Sequence, residues 1–236
     1  MTRRELVFVA TVASIGVGWV LWKVCSPTAL LVSYSRRGDV EGVTRLLNLG
    51  VDPNAHHHRT LAFIAAAEGG QVPVLELLLK HGADPLRCET EGSAPRFSAL
   101  SAAAFFNEVV AIEYLVKVGV PIEYQCGGGW PPPLEIASEH ARPAAAAKLI
   151  ELGANPRRLG DGNNTYVMSA AWSADKIGRP DDAARTIELL VNSGCDVHAR
   201  NWNGSTALMM SEEPAVVKML LEKGADQNLD GKTQRQ

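Results

Sequence analysis

The sequence predicts an all-α fold: a solenoid of helix-turn-helix repeats with finger loops, preceded by a single hydrophobic amino-terminal helix. Three observations carry this prediction. Six leucine-rich segments, at 46–52, 78–84, 115–121, 149–155, 190–196 and 220–226, each run into glycine, a small residue and a polar or turn-forming residue. Their glycines, Gly50, Gly82, Gly119, Gly153, Gly194 and Gly224, lie 32, 37, 34, 41 and 30 residues apart. Recurrence on this scale marks supersecondary units that cannot bury an apolar face alone and do so by stacking. The third observation is the separate apolar run near the amino terminus.

The second unit shows the local logic. Residues 61–68 are alanine-rich, which suits a helix that approaches its neighbours closely, and Gly70 breaks it. Val74, Leu75, Leu77, Leu78 and Leu79 supply an apolar stripe at three-to-four spacing, the mark of an amphipathic second helix. Gly82 follows as the left-handed residue past the helix end, where a Cβ would be strained. Asp84-Pro85 then turns the chain outward.

Later units open on related strings: Ser98-Ala99-Leu100-Ser101-Ala102-Ala103, Pro132-Pro133-Leu134-Glu135-Ile136-Ala137, Thr165-Tyr166-Val167-Met168-Ser169-Ala170-Ala171 and Asn203-Gly204-Ser205-Thr206-Ala207-Leu208. In these pieces the chain resembles the ankyrin repeat family, whose units open on Thr-Pro-Leu-His-x-Ala-Ala, although the proline and histidine are mostly missing. The resemblance covers roughly Ala29 to Leu229. It divides the chain into a hydrophobic segment at 1–25, repeats at 26–229 and a polar tail at 230–236. The six units fall at about 27–58, 59–91, 92–128, 129–161, 162–202 and 203–229. The fifth carries extra residues between its helices, about Ser173 to Pro180. The sixth loses a few there, where Glu212-Glu213-Pro214 turns abruptly. Asn107 replaces the inter-helix glycine of the third, as asparagine tolerates positive φ. A longer finger is expected at 89–96.

The amino terminus is a separate element. The run from Leu6 to Trp22 holds 17 residues without a formal charge, between Glu5 and Lys23. As a helix it would be about 26 Å long, slightly short of a hydrocarbon core of about 30 Å. A cleaved signal would need a small-x-small site, and none follows. An apolar helix packed on the first repeat is a further alternative, and cleavage of the segment stays open. The expectation is an uncleaved single-pass anchor, with the repeats on the non-cytoplasmic side: the bacterial inner membrane facing the periplasm if the protein is bacterial. Charges flank the run on both sides, and the orientation rests on the short basic tail that precedes it.

Composition narrows the function. Lysine and arginine total 23 against 26 acidic residues, a net charge of -3, and no basic tract interleaved with aromatics points to nucleic acid. Cys195 takes the small position after a repeat glycine and reads as a buried space-filler. Cys88 and Cys126 fall six and seven residues after Gly82 and Gly119, on neighbouring fingers. Adjacent helical units pack about 8–10 Å apart, whereas a disulfide wants its Cα atoms within about 7 Å. A bridge therefore requires the two fingers to lean together, and the pairing stays open. Three consecutive imidazoles, His56, His57 and His58, cannot all face one metal from regular backbone, and no spaced companion ligand exists. Gly127-Gly128-Gly129 lacks the lysine and Ser/Thr of a phosphate loop. No catalytic residues, metal or cofactor are expected, and the chain is not expected to be an enzyme.

What the resemblance implies is a concave face, formed by finger tips and the exposed ends of first helices, that binds another protein. The fingers contribute His56, His57, His58, Trp130 and Trp202. The helix ends contribute Arg36, Arg37, Glu68, Phe105, Phe106, Glu139, His140 and Trp172. Large aromatics and arginine are favoured at interface hot spots. The expectation is a membrane-anchored scaffold, monomeric apart from its partner. Two alternatives stand beside it: an inhibitor or immunity protein for a cognate bacterial toxin, by analogy of layout, and a metal- or redox-linked accessory factor using the histidine finger or Cys88 and Cys126.

Overall fold

The computed structural model describes residues 26–88, 97–127 and 130–226. The run from Leu6 to Trp22, the longer finger at 89–96 and the tail at 230–236 lie outside the described residues. Among the described residues no helix is long and apolar enough to cross a membrane. The chain is mostly helical and divides into two compact units, Met1–Ala99 and Leu100–Gln236.

The first unit holds two helix pairs. Helices α1 (Pro27–Arg37) and α2 (Val40–Asn48) form the first; α3 (Ala62–Glu68) and α4 (Val72–Lys80) form the second. First helix packs on first helix and second on second, α1 against α3 and α2 against α4. This is the stacking that the repeat interval requires. Ser26 caps α1 by accepting from the Ala29 N–H, and Asp39 caps α2 by accepting from Gly42. Every residue of α3 from Ala62 to Ala67 is buried, so the alanine run serves close helix approach. From α4, Val74, Leu75 and Leu78 fill the layer beneath. The finger between the pairs is a small antiparallel hairpin, β1 (His56–His57) against β2 (Thr60–Leu61). Cys88, in the loop after α4, is disulfide-bonded.

The second unit continues the pattern, with helix α5 (Ala99–Phe106) entering it. Its other helices are α6 (Val109–Lys117), α7 (Pro133–Glu139), α8 (Pro143–Glu151), α9 (Tyr166–Ile177), α10 (Pro180–Asn192) and α11 (Pro214–Glu222). Here too α7 packs on α9, and α8 on both α6 and α10, with α11 closing on α10. Leu115, Leu149, Ile187 and Leu190 are fully buried on the second-helix side. Cys126 is buried and disulfide-bonded. Cys195 is a free, buried thiol whose Sγ lies 3.1 Å from the Pro156 carbonyl oxygen, as the small-residue position predicts.

Backbone conformation reproduces the repeat in both units. All six segment-ending glycines have positive φ, from +83° at Gly50 to +102° at Gly153. The residue between the helices of a pair is also left-handed five times: Gly38, Gly70, Asn107, Ala141 and Gly178. Asn107, at φ 66°, does more than replace glycine. Its side-chain oxygen accepts from the Ala145 N–H at 2.9 Å, which ties it to the first turn of α8. Prolines 27, 73, 133, 143, 180 and 214 all sit at helix starts, where a missing N–H is harmless.

Two expectations change. The extra residues at 173–180 are not a loop between the helices of the fifth pair. They extend α9 to Ile177, with Gly178 as its left-handed cap and Ser173 and Ala174 buried. Helix propensity and burial continue past Trp172, so the added length is taken up as a further turn of helix. The sixth unit has no full first helix: a single 3₁₀ turn, Ala207–Met209, takes its place. Pro214 then starts α11 at once, leaving no room for two complete turns.

The fingers are tied by side chains that reach main chain one repeat on. Asn54, four residues past Gly50, donates to the Gly82 carbonyl at 2.9 Å and accepts from the Asp84 N–H at 2.8 Å. Glu123, four past Gly119, accepts from the Asn155 N–H at 2.9 Å. Arg157, four past Gly153, donates to the Gly194 carbonyl at 3.0 Å.

Candidate protein-interaction surface

The predicted contact residues fall into three environments. In the first unit, the finger hairpin turns on His58 and Arg59, both at positive φ, which exposes His56 and His58 and half-buries His57. Burial lowers the His57 imidazole from its ordinary value, with His58 adding to the effect. At the end of α1, the Arg36 guanidinium donates to one Glu68 carboxylate oxygen from both Nε and Nη2, at 2.8 and 2.5 Å. Glu68 ends α3, so this ion pair joins the two first-helix ends across the stack. Arg37 instead folds back along α1, donating to the Ser33 hydroxyl at 2.6 Å and lying over the Tyr34 ring.

In the second unit the aromatics divide by exposure. Trp202 is 76 % exposed, Trp172 53 % and Phe106 46 %. Trp202 is held by its backbone, whose N–H donates to the Gly162 carbonyl at 3.0 Å, so the indole stands out from an anchored finger. The Trp172 ring carries the Lys176 ammonium 3.0 Å from its centroid, an i, i+4 cation–π pair that the extended α9 makes possible. Phe105 is half-buried. Its ring packs on Phe106 and on His140, with centroids 4.9 and 4.4 Å apart, and its carbonyl accepts from Arg142 Nε at 2.7 Å. Phe105 is thus built into the contact between α5 and the end of α7, while Phe106 faces solvent.

Trp130 belongs to a third environment, a cleft of about 260 Å³ lined by Gln125, Trp130, Pro131, Pro132, Glu135, Arg158, Leu159, Gly160 and Asp161. Glu135 lies in the first turn of α7 and is only 8 % exposed. It has no hydrogen bond or ion pair among the described residues. Gly160 makes its position possible, because a Cβ there would overlap the carboxylate. Burial pushes the Glu135 carboxyl up to about 7, reinforced by the charges of Glu139 and Asp161 and opposed by Arg158. Burial also raises Glu139, again helped by Asp161. The Tyr166 hydroxyl is buried without a hydrogen-bond partner among the described residues, and burial first, then Glu135, raises it above the ordinary phenol range. Arg158 is occupied elsewhere. It donates to Gln125 Oε1 at 3.0 Å and pairs with Glu123 at 3.4 Å.

Nothing in the sequence singles out Arg158 or Asp161, and Glu135 stands there only as part of the fourth unit's opening string. One signal pointed there: Glu135 stands where the opening pattern of the resembled family has histidine. Its burial depends on a glycine 25 residues further on, which no local pattern shows. Among the described residues no group of three or more His, Cys, Asp or Glu side chains is placed to hold a metal.

Comparison with known proteins supports the repeat assignment. Residues 57–89 match the model of the ankyrin repeat. The chain is 30% identical over 135 residues to an ankyrin repeat and KH domain-containing protein of Caenorhabditis briggsae, covering 56% of this chain and 5% of that one. It is 30% identical over 146 residues to ankyrin repeat and SOCS box protein 6 of Pongo abelii, covering 61% and 34%. Over 55 residues it is 46% identical to cyclin-dependent kinase 4 inhibitor B of Bos taurus, covering 23% and 42%. The chain therefore spans 5% and 34% of the length of the first two relatives. Family model and relatives together support the ankyrin repeat family, and with it a protein–protein interaction module.

Proposed function

We propose that the repeats bind a partner protein through the solvent-facing aromatics of the second unit, without catalysis of their own. The observation that carries this is the pair of indoles left in water, Trp172 at 53 % and Trp202 at 76 % exposure. Large aromatics of this kind supply most of the energy at interface hot spots. The six-unit division at 27–229 belongs to the same proposal. So does membrane attachment through Leu6 to Trp22, which rests on that apolar run alone. The disulfide-bonded state of Cys88 and of Cys126 favours an oxidising compartment for the repeats.

The test is capture of the partner by the full chain from detergent extract, then measurement of Kd with purified components. Trp202→Ala and Trp172→Ala should each weaken association about tenfold or more, near 1.4 kcal/mol, with unchanged melting. Unaltered affinity in both variants refutes the reading. Carbonate extraction and a carboxyl-terminal topology reporter test the anchor and its orientation separately.

The relative named as a kinase inhibitor favours a second reading, in which the bound protein is an enzyme that this chain restrains. Assay of the captured partner with and without excess repeat protein separates restraint from simple binding.

A further inference from the structure

The cleft beside α7 has chemistry that the aromatic surface does not use. Its walls present two carboxylates, Glu135 and Asp161, and one cation, Arg158. That cation is already engaged by Glu123 and Gln125. Glu135 is more than nine-tenths buried, faces into the cleft and has no hydrogen bond or ion pair among the described residues. Burial of most of the side chain disfavours its ionised form, which an incoming cation would offset. Gly160 holds the space open for it, so the arrangement depends on both ends of the fourth repeat at once. Trp130 in the wall adds an indole surface attractive to a cation. At about 260 Å³ the space is below the range of pockets for drug-sized ligands and suits one long side chain.

We propose that this cleft receives a lysine or arginine side chain of the bound protein, held by Glu135 and Asp161 against Trp130. The proposal rests on the protein-binding reading above and names the recognition chemistry at one point of it. Pairing with the incoming ammonium or guanidinium supplies the partner that Glu135 lacks. The groups that set the charge there are Glu135, Asp161, Glu139, Arg158 and Glu123, with the Tyr166 hydroxyl nearby. Because Glu135 ionises near neutrality, occupancy should strengthen as pH rises from 6 to 8.

The experiment uses the full chain in detergent and four probes: acetyl-Gly-Lys-Gly-amide, acetyl-Gly-Arg-Gly-amide and the matching glutamine and glutamate peptides. Binding is read by saturation-transfer NMR. The two cationic peptides should bind and the other two should not. Glu135→Gln and Asp161→Asn should each weaken cationic binding about tenfold. Asp161 is exposed, so its variant tests the cleft even if Glu135→Gln disturbs the fold. Equal binding of all four peptides, or unchanged binding in both variants, overturns the proposal. So does preference for the glutamate peptide, which would make Arg158 the recognition group. The captured partner provides the second arm. If wild type retains it and both variants retain it equally, this inference fails while the interaction reading stands. If cationic peptides bind but no protein is retained, the interaction reading fails and the cleft serves a free amine instead.

Discussion

Glu135→Gln should make the protein more stable at alkaline pH while leaving it little changed in acid. The ordinary carboxyl value is 4.5 and burial raises Glu135 to about 7 in the fold. The separation is about 2.5 units, and at 1.36 kcal/mol per unit it corresponds to about 3 kcal/mol. The sign follows from proton counts. Between pH 4.5 and 7 the folded protein keeps a proton that the unfolded chain has released, so stability falls as pH rises. The stabilising contribution of the protonated form is complete below 4.5 and lost through 7. Glutamine carries no charge at any pH, so the variant lacks this loss. Urea unfolding followed by circular dichroism, for both proteins at half-unit steps from pH 4.5 to 8.5, gives the difference directly. Other carboxylates cancel to first order because both proteins share them. The variant should gain about 3 kcal/mol over wild type across this range, levelling off above pH 7.5. A difference that stays flat with pH would show that Glu135 ionises as an ordinary exposed carboxylate and that burial does not perturb it.

Other outcomes follow from the same geometry. Gly119→Ala should cost about 1–2 kcal/mol, because φ is +98° while the space around a new Cβ is empty, leaving strain alone; thermal melting measures it. Leu115→Ala, at a fully buried position, should cost about 2–5 kcal/mol. Hydrogen exchange should show lost protection in α8 as well as α6, since the two helices pack together. Trp202→Ala should stay within about 0.5 kcal/mol of wild type in stability. Phe105→Ala should cost more, because its ring packs on His140.

The repeat was legible because its signals are local. A glycine past each leucine-rich helix is left-handed throughout, and Asn107 could be read from residue type alone as the substitute for an inter-helix glycine. Cys195 was legible from its place in the series of small residues. What escaped depends on residues far apart in the chain. The burial of Glu135 needs Gly160, and the inward turn of Phe105 needs His140 and Arg142. The fifth unit misled for a different reason: the break expected after Trp172 comes only at Gly178, and the buried Ser173 and Ala174 carry the helix on until then. Its longer α9 is what places Trp172 under Lys176.

The ties that Asn54, Glu123 and Arg157 make share one property: each ends on peptide groups of the following unit, which every residue type carries. A neighbour can exchange its side chains without losing the link, provided its chain trace is kept. At these three ties the link survives divergence of the neighbour's side chains, unlike the Arg36–Glu68 and Glu123–Arg158 pairs, which need both partners. A stack fastened this way can accumulate individual surfaces unit by unit, which fits copies whose sequences match so loosely while their backbone angles agree.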